Sequence, residues 1–235
     1  MQVNQVNCVD GSDEINELPK STPFSFQPGQ FNLLSNKRSK ATARMITIFQ
    51  ALESIKSGGE NLLFLSAMRA CNKEDDLYKK IKSKLQAISW NAFVDVEDSR
   101  RFASMTGYMY FEKEDLSPEE ITNYKCYFKS QPFIVAGWKT ITGTGIGCLV
   151  KVANVDETNF KDVWNRINKR LGVWFDKTSR KLLIYREISN DPKIYINEIV
   201  RPFHYYSYRK TNNHTNEFSF SDIHLRESYK REINL

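Results

Sequence analysis

The chain predicts an α+β domain with a central, largely antiparallel sheet and packed helices, and three observations carry that expectation. Two helix starts are complete, at Thr47 to Gln50 and at Ser117 to Glu120, where a hydroxyl residue is followed three positions later by Gln or Glu as in a capping box. Short segments rich in β-branched and aromatic residues, such as Phe133 to Trp138 and Ile146 to Val152, have strand character. These two segments are joined by Thr142-Gly143-Thr144-Gly145, a connection too short for a crossover, so they must be antiparallel.

Taken in order, residues 1–30 hold four acids (Asp10, Asp13, Glu14, Glu17), one lysine and little periodicity, and suggest an acidic flexible arm. The domain is expected over residues 31–203. Phe31 to Leu34 looks like a first strand, followed by the basic loop Lys37-Arg38-Ser39-Lys40. Thr47 then caps a helix carrying Phe49, Leu52 and Ile55, which Gly58-Gly59 stops. Leu62, Leu65 and Met68 suggest a second helix, and Asn72 is expected to cap a third with Leu77, Ile81 and Leu85 on one face. From Ala87 the period changes: Ile88 and Trp90, then Phe93, Val94 and Val96, form extended chain broken at Asn91, and Tyr108 to Phe111 is another strand. Ser117-Pro118 opens a helix whose apolar face is Ile121, Tyr124 and Phe128. After the hairpin, Phe160, Val163, Trp164, Ile167 and Leu171 mark an amphipathic helix closed by Gly172, and Leu182 to Tyr185 a further strand. Residues 204–235 are polar and tyrosine-rich and suggest a peripheral tail.

Composition narrows the class. The 235 residues suffice for a real core without disulfides, and at 40% hydrophobic and 26% charged they are neither disordered overall nor membrane-embedded. No apolar stretch approaches the ~20 residues of a bilayer span, and the polar N-terminus has no signal-peptide core. The four cysteines (Cys8, Cys71, Cys126, Cys148) form no CxxC pair, which excludes a zinc knuckle and points to a reducing cytoplasm. Cys148 and the tryptophans Trp138 and Trp164 have the setting of core residues. His204, His214 and His224 have no nearby cysteine and make a poor zinc set. The net charge is +6, and the segment Lys161 to Arg186, with eight Lys and Arg against two Asp, matches the whole excess. Aromatic residues are interleaved there, so the segment suits phosphates and stacked bases, Trp174 being the best stacking candidate; a solvated helix face with core aromatics has the same pattern.

Chemistry concentrates at two places. Glu112 and Glu114 end a strand, and alternation puts both carboxylates on one face with Lys113 on the other. Two such carboxylates repel unless a cation lies between them, and hard oxygen donors suit Mg²⁺ or Mn²⁺, as in two-metal nucleotidyl transfer. An acidic entry to the Ser117 helix has the same spacing. The glycines of Thr142 to Gly145 would let backbone N–H groups approach a phosphate, or simply form a hairpin turn. A strand follows where a Walker A or Rossmann loop needs a helix, so both motifs are excluded.

A set of blocks in fixed order brings a family into view. Met68-Arg69-Ala70, Leu85-Gln86-Ala87-Ile88-Ser89-Trp90, Thr106 to Glu114, Gln131-Pro132-Phe133 through Ile146 to Val150-Lys151-Val152, Phe175-Asp176-Lys177 and Asn190-Asp191-Pro192 through Asn197 are similar to blocks of one family. From about Phe31 to Phe203 the chain thereby resembles the N-terminal domain of virulence-associated protein E-like proteins of Bacteroidetes and their phages, a branch of the archaeo-eukaryotic primase-polymerase group. The resemblance implies a primase-polymerase-like, RRM-like core. It puts Glu112 and Glu114 on the family's metal-binding Asp-x-Asp and Asp176 on its third acid, a catalytic set holding Mg²⁺ or Mn²⁺. It also puts Thr142, Gly143, Thr144 and Gly145 on the loop that meets the nucleotide's phosphates.

The departures bear on catalysis. Both aspartates of the motif are glutamates, Ile141 replaces the turn's proline, Gly147 replaces a basic residue, and no histidine precedes His204. The Ser179-Arg180 pair lies close after Asp176 for the family's Ser-Arg, and an ungapped match puts Ile184 there.

Three functions follow from these residues. One is a primase-polymerase-type nucleotidyltransferase of phage or mobile-element replication, using an NTP or dNTP and a single-stranded DNA or RNA template. Lys151, Arg166, Lys169, Arg170, Trp174 and Arg180 would then meet the nucleic acid, and a replicative helicase would act in trans. Another is a non-catalytic nucleic-acid-binding module on the same fold. The third is a protein-interaction adaptor using the arm and the tail.

Overall fold

A computed structural model describes residues 29–40 and 42–206. In chain order the elements are β1 (Gln30–Leu34), β2 (Arg44–Thr47), α1 (Ile48–Ser57), α2 (Leu62–Arg69), α3 (Asp76–Lys82), β3 (Ala87–Ser89), β4 (Ala92–Val94), β5 (Phe102–Met105), β6 (Tyr108–Lys113), α4 (Pro118–Lys129), β7 (Ile134–Lys139), β8 (Ile146–Ala153), α5 (Phe160–Leu171), β9 (Tyr185–Glu187), β10 (Tyr195–Ile196) and β11 (Phe203–His204). One sheet has the order β2-β1-β3-β9, with every neighbouring pair antiparallel. A second places β8 between β7 and β6, with β10 outside β7, again antiparallel throughout, and β11 runs parallel to the end of β8. A small hairpin pairs β4 with β5. The α+β class and the antiparallel β7–β8 hairpin are therefore as the sequence predicts.

Alternation along β6 builds the layers. Met109 and Phe111 enter a core with Ile121 and Phe128 of α4 and Val163, Trp164 and Ile167 of α5. Tyr110 faces the other way, where it joins Trp138, Leu149, Phe31, Ile88 and Trp90 together with Ala51, Leu52 and Ile55 of α1. Ring centroids of Tyr110, Trp90 and Trp138 lie 5.4–6.3 Å apart, in the range of favourable aromatic packing. Strand β8 is covered on both faces, which accounts for its unbroken buried run Ile146 to Val150. Cys148 lies within it, and burial pushes its thiol pKa up. A third, smaller core gathers Leu65, Met68, Tyr78, Leu85 and Ile141, packing α2 and α3 under the start of the glycine turn.

Both predicted capping boxes form, at Thr47/Gln50 and Ser117/Glu120. Gly58, in the left-handed conformation at φ 85°, ends α1. Other expectations are corrected. Phe49 is 74% exposed, because it lies about 60° beyond Leu52 around the helix and outside the arc of Ala51, Leu52 and Ile55. The residue capping α3 is Asp75 rather than Asn72; Leu77 is exposed, Tyr78 takes the buried position, and Leu85 lies past the helix end. The strand expected at Leu182 to Tyr185 begins only at Tyr185, where β3 supplies a partner. Before it, the backbone carbonyl of Lys181 accepts from the side chain of Asn91, the residue that breaks β3 from β4. Strands β2, β5, β10 and β11 have no sequence signal of their own; each is short and defined by its partner. Of the expected arm and tail, residues 1–28 and 207–235, with His214 and His224, lie outside the described residues.

Candidate functional site

Glu112 and Glu114 come from the end of β6, and both line a cleft of about 380 Å³. The cleft is walled by Thr140, Ile141 and Thr142 of the turn, by Arg186 and Glu187 of β9, and by Lys37, Lys73 and Lys82. Glu112 and Glu114 thus share a face as alternation predicts, while Lys113 points elsewhere, its Nζ donating to the carbonyl of Trp174 at 3.3 Å.

Each carboxylate already has protein partners. Glu112 Oε1 accepts from the Arg186 guanidinium and from Thr178 Oγ1 at 3.4 Å, and Oε2 accepts from the Tyr110 hydroxyl at 3.0 Å. The Arg186 and Glu112 side chains are only 16% and 11% exposed, so this is an ion pair largely removed from water. Burial raises the Glu112 carboxyl above its ordinary range, with Arg186 and the Tyr110 hydroxyl acting against it. Burial, followed by the charge of Glu112, raises the Tyr110 phenol strongly, which keeps it a donor. Glu114 Oε2 accepts from Thr142 Oγ1 at 2.7 Å. Asp176 reaches the same strand end by its backbone, its N–H donating to Glu112 O at 2.8 Å, while its Oδ2 accepts from the Glu114 N–H at 3.3 Å. Asp176 does not line the cleft.

The turn is held from outside. Arg69 donates through Nε to Ile141 O at 3.1 Å and through Nη2 to Thr140 O and Asn190 O at 3.2 and 3.1 Å. Two of the turn's backbone donors are used internally, Gly143 N–H by Thr140 O and Thr144 N–H by Thr142 Oγ1. Thr142 is therefore the residue of the predicted phosphate loop that lines the cleft. Close approach explains Gly145: a Cβ there would stand 2.7 Å from Glu114 Cδ and from Lys113 O. We expect Gly145→Ala to push Glu114 off Thr142 and to cost about 1–3 kcal/mol, as overpacking does. Urea denaturation checks this, and an unchanged midpoint would contradict it.

The three acids are hard oxygen donors, the chemistry a divalent ion requires, but as arranged they do not fit a two-ion centre. Glu112 is already neutralised by a guanidinium, against which a divalent ion on the same carboxylate would be repelled. Among the described residues, no group of three His, Cys, Asp or Glu side chains is placed to hold a metal ion.

The expected nucleic-acid residues divide. Arg166, Lys169 and Arg170 share the solvent side of α5, and Trp174, 82% exposed, follows it. Arg166 is partly engaged, by Asp162 Oδ2 at 3.2 Å and by the Tyr205 ring 4.9 Å away. Lys151 is half-buried on β8 opposite Tyr108, and Arg180 is half-buried with its Nε lacking an acceptor. Lys161 to Arg186 is not one face, since the segment passes from α5 into the other sheet and its last cation, Arg186, turns into the cleft. Arg186, Tyr110 and Lys82 escape sequence reasoning as site residues: nothing in the spacing announces that Arg186 pairs with a glutamate 74 positions earlier. Lys37 had a signal in its basic loop.

Among the described residues, no helix is long and apolar enough to cross a membrane. No family model and no curated protein matches the chain. Among solved structures, the AEP domain of the cyanophage S-2L primase-polymerase (PrimPol) is similar at 11% identity, over 74% of this chain and 83% of that one, with a TM-score of 0.38.

Proposed function

We propose that the chain is a primase-polymerase-like domain, of the virulence-associated protein E-like kind, that holds a nucleoside triphosphate in the cleft and single-stranded nucleic acid on the outer side of α5. Its setting would be phage or mobile-element replication, with a replicative helicase as partner. The observation that carries this reading is the strand end where Glu112 and Glu114 meet the glycine turn inside a cleft ringed by Lys37, Lys73, Lys82 and Arg186. The ordered sequence blocks from Met68 to Asn197 support it independently. Metal-dependent transfer by Glu112, Glu114 and Asp176 with Mg²⁺ or Mn²⁺ is the active form of this reading. The Arg186–Glu112 pair favours the other form, binding without transfer.

The test of the α5 face is a salt titration of single-strand binding, with primer extension alongside. Replacing Arg166, Lys169 and Arg170 together by glutamine should weaken binding and reduce the slope of log K against log salt by about 2, given ~0.7 per phosphate contact on single strands. Unchanged affinity and slope would remove α5 from the interface. Primer extension that depends on Mn²⁺ and is lost in Glu114→Gln would establish the active form.

A further inference from the structure

We infer that the cleft binds a nucleoside triphosphate on protein cations alone, with Arg186 standing where a divalent ion would otherwise neutralise Glu112. This rests on the nucleotide reading above and specifies how the same site holds its ligand.

A divalent ion between neighbouring carboxylates serves to cancel their repulsion and to present positive charge to phosphate. Here the first task is already done. Glu112 is paired with Arg186, Glu187 has Lys37 Nζ at 3.8 Å, and Glu114 accepts from Thr142. Antiparallel pairing of Arg186 with Ile88 fixes its backbone, and its charge lies 5.8 Å from the centre of the Tyr110 ring.

The second task falls to the cations of the same cleft. With Glu112 and Glu187 each opposed by a cation, Lys73 and Lys82 remain on the lining, Lys73 with an exposed partner in Asp115 and Lys82 against the Tyr78 ring. Burial lowers the pKa of Lys37, Glu187 acts against it, and Arg186 and Lys82 lower it further; an arriving polyphosphate would add to the counter-charge that Glu187 supplies. Among the described residues that line the cleft, the one fully buried side-chain atom without a hydrogen-bond partner points the same way. It is a donor, Arg186 Nε, and a buried donor without an acceptor suits an anion and not a metal ion.

The experiment is equilibrium binding of a fluorescent adenosine triphosphate analogue to the full chain, first in EDTA and then in Mg²⁺ or Mn²⁺. Binding should be present in EDTA, and the divalent ions should leave it unchanged or weaken it. Lys37→Ala combined with Lys82→Ala should weaken binding by about tenfold or more, each tenfold step being 1.4 kcal/mol. The doubly neutral Arg186→Met/Glu112→Gln variant keeps a matched pair and should weaken binding in EDTA by a comparable factor. Binding that appears only with a divalent ion would overturn the inference and leave the nucleotide reading standing. No binding with or without divalent ions would overturn both.

Discussion

Replacing Arg186 by methionine should lower the stability of the domain by about 3 kcal/mol at neutral pH, the low end of what breaking a buried ion pair costs. At this chain length that is a fall of about 6–12 °C in melting temperature. The cause is the carboxylate left behind. Glu112 is buried and loses its largest opposing charge, retaining only the Tyr110 hydroxyl and the weaker contact from Thr178. The loss should also depend on pH. In the wild type the folded-state pKa of Glu112 is already raised, so its contribution is full below the unfolded value of about 4.3 and is lost as pH rises through the folded value. Removing Arg186 raises the folded value further and widens that window. The variant's deficit should be greatest near pH 8 and shrink towards pH 5, where Glu112 can take up a proton. A deficit constant across that range would show that the charge of Glu112 is not its origin. In a Glu112→Gln background the same Arg186 substitution should cost much less, and a double-mutant cycle measures that coupling.

A second large effect is expected at Asp191, away from the cleft. Its side chain is 2% exposed and pairs with Lys125 of α4, itself 13% exposed. Asp191 Oδ2 also accepts from the Lys139 N–H at 2.7 Å and Oδ1 from the Lys193 N–H at 3.1 Å, while its own N–H donates to Ile55 O at 2.9 Å. One residue thus joins α1, α4 and β7. Asp191→Ala should cost about 3–5 kcal/mol, since it leaves the Lys125 ammonium without a counter-charge, holding only the Lys193 carbonyl at 2.8 Å, and leaves two backbone donors unsatisfied. Lys125→Met should cost less, because Asp191 keeps both backbone donors. Urea denaturation of the two variants gives the order, and Lys125→Met as costly as Asp191→Ala would contradict this account.

Local chemistry was sufficient for much of this molecule. A capping box, Pro118 at a helix start, glycine after Leu171 and a four-residue turn each act within a few residues, so Thr47, Ser117, Gly172 and Thr142 to Gly145 could be placed from the chain alone. Side-chain alternation likewise puts Glu112 and Glu114 on one face from the sequence alone. What the chain could not show is anything that depends on a distant partner. Strand β9 starts at Tyr185, not Leu182, because only there does β3 run beside it, and Phe49 faces water because the sheet fixes which arc of α1 is covered. The site divides along the same line. Its carboxylates come from one strand and were legible, whereas the cation that decides what they can bind comes from another sheet. Arg186 carries the same charge as its basic neighbours in sequence, and only the packing of β9 against β3 turns it from one cation of a basic segment into the partner of Glu112.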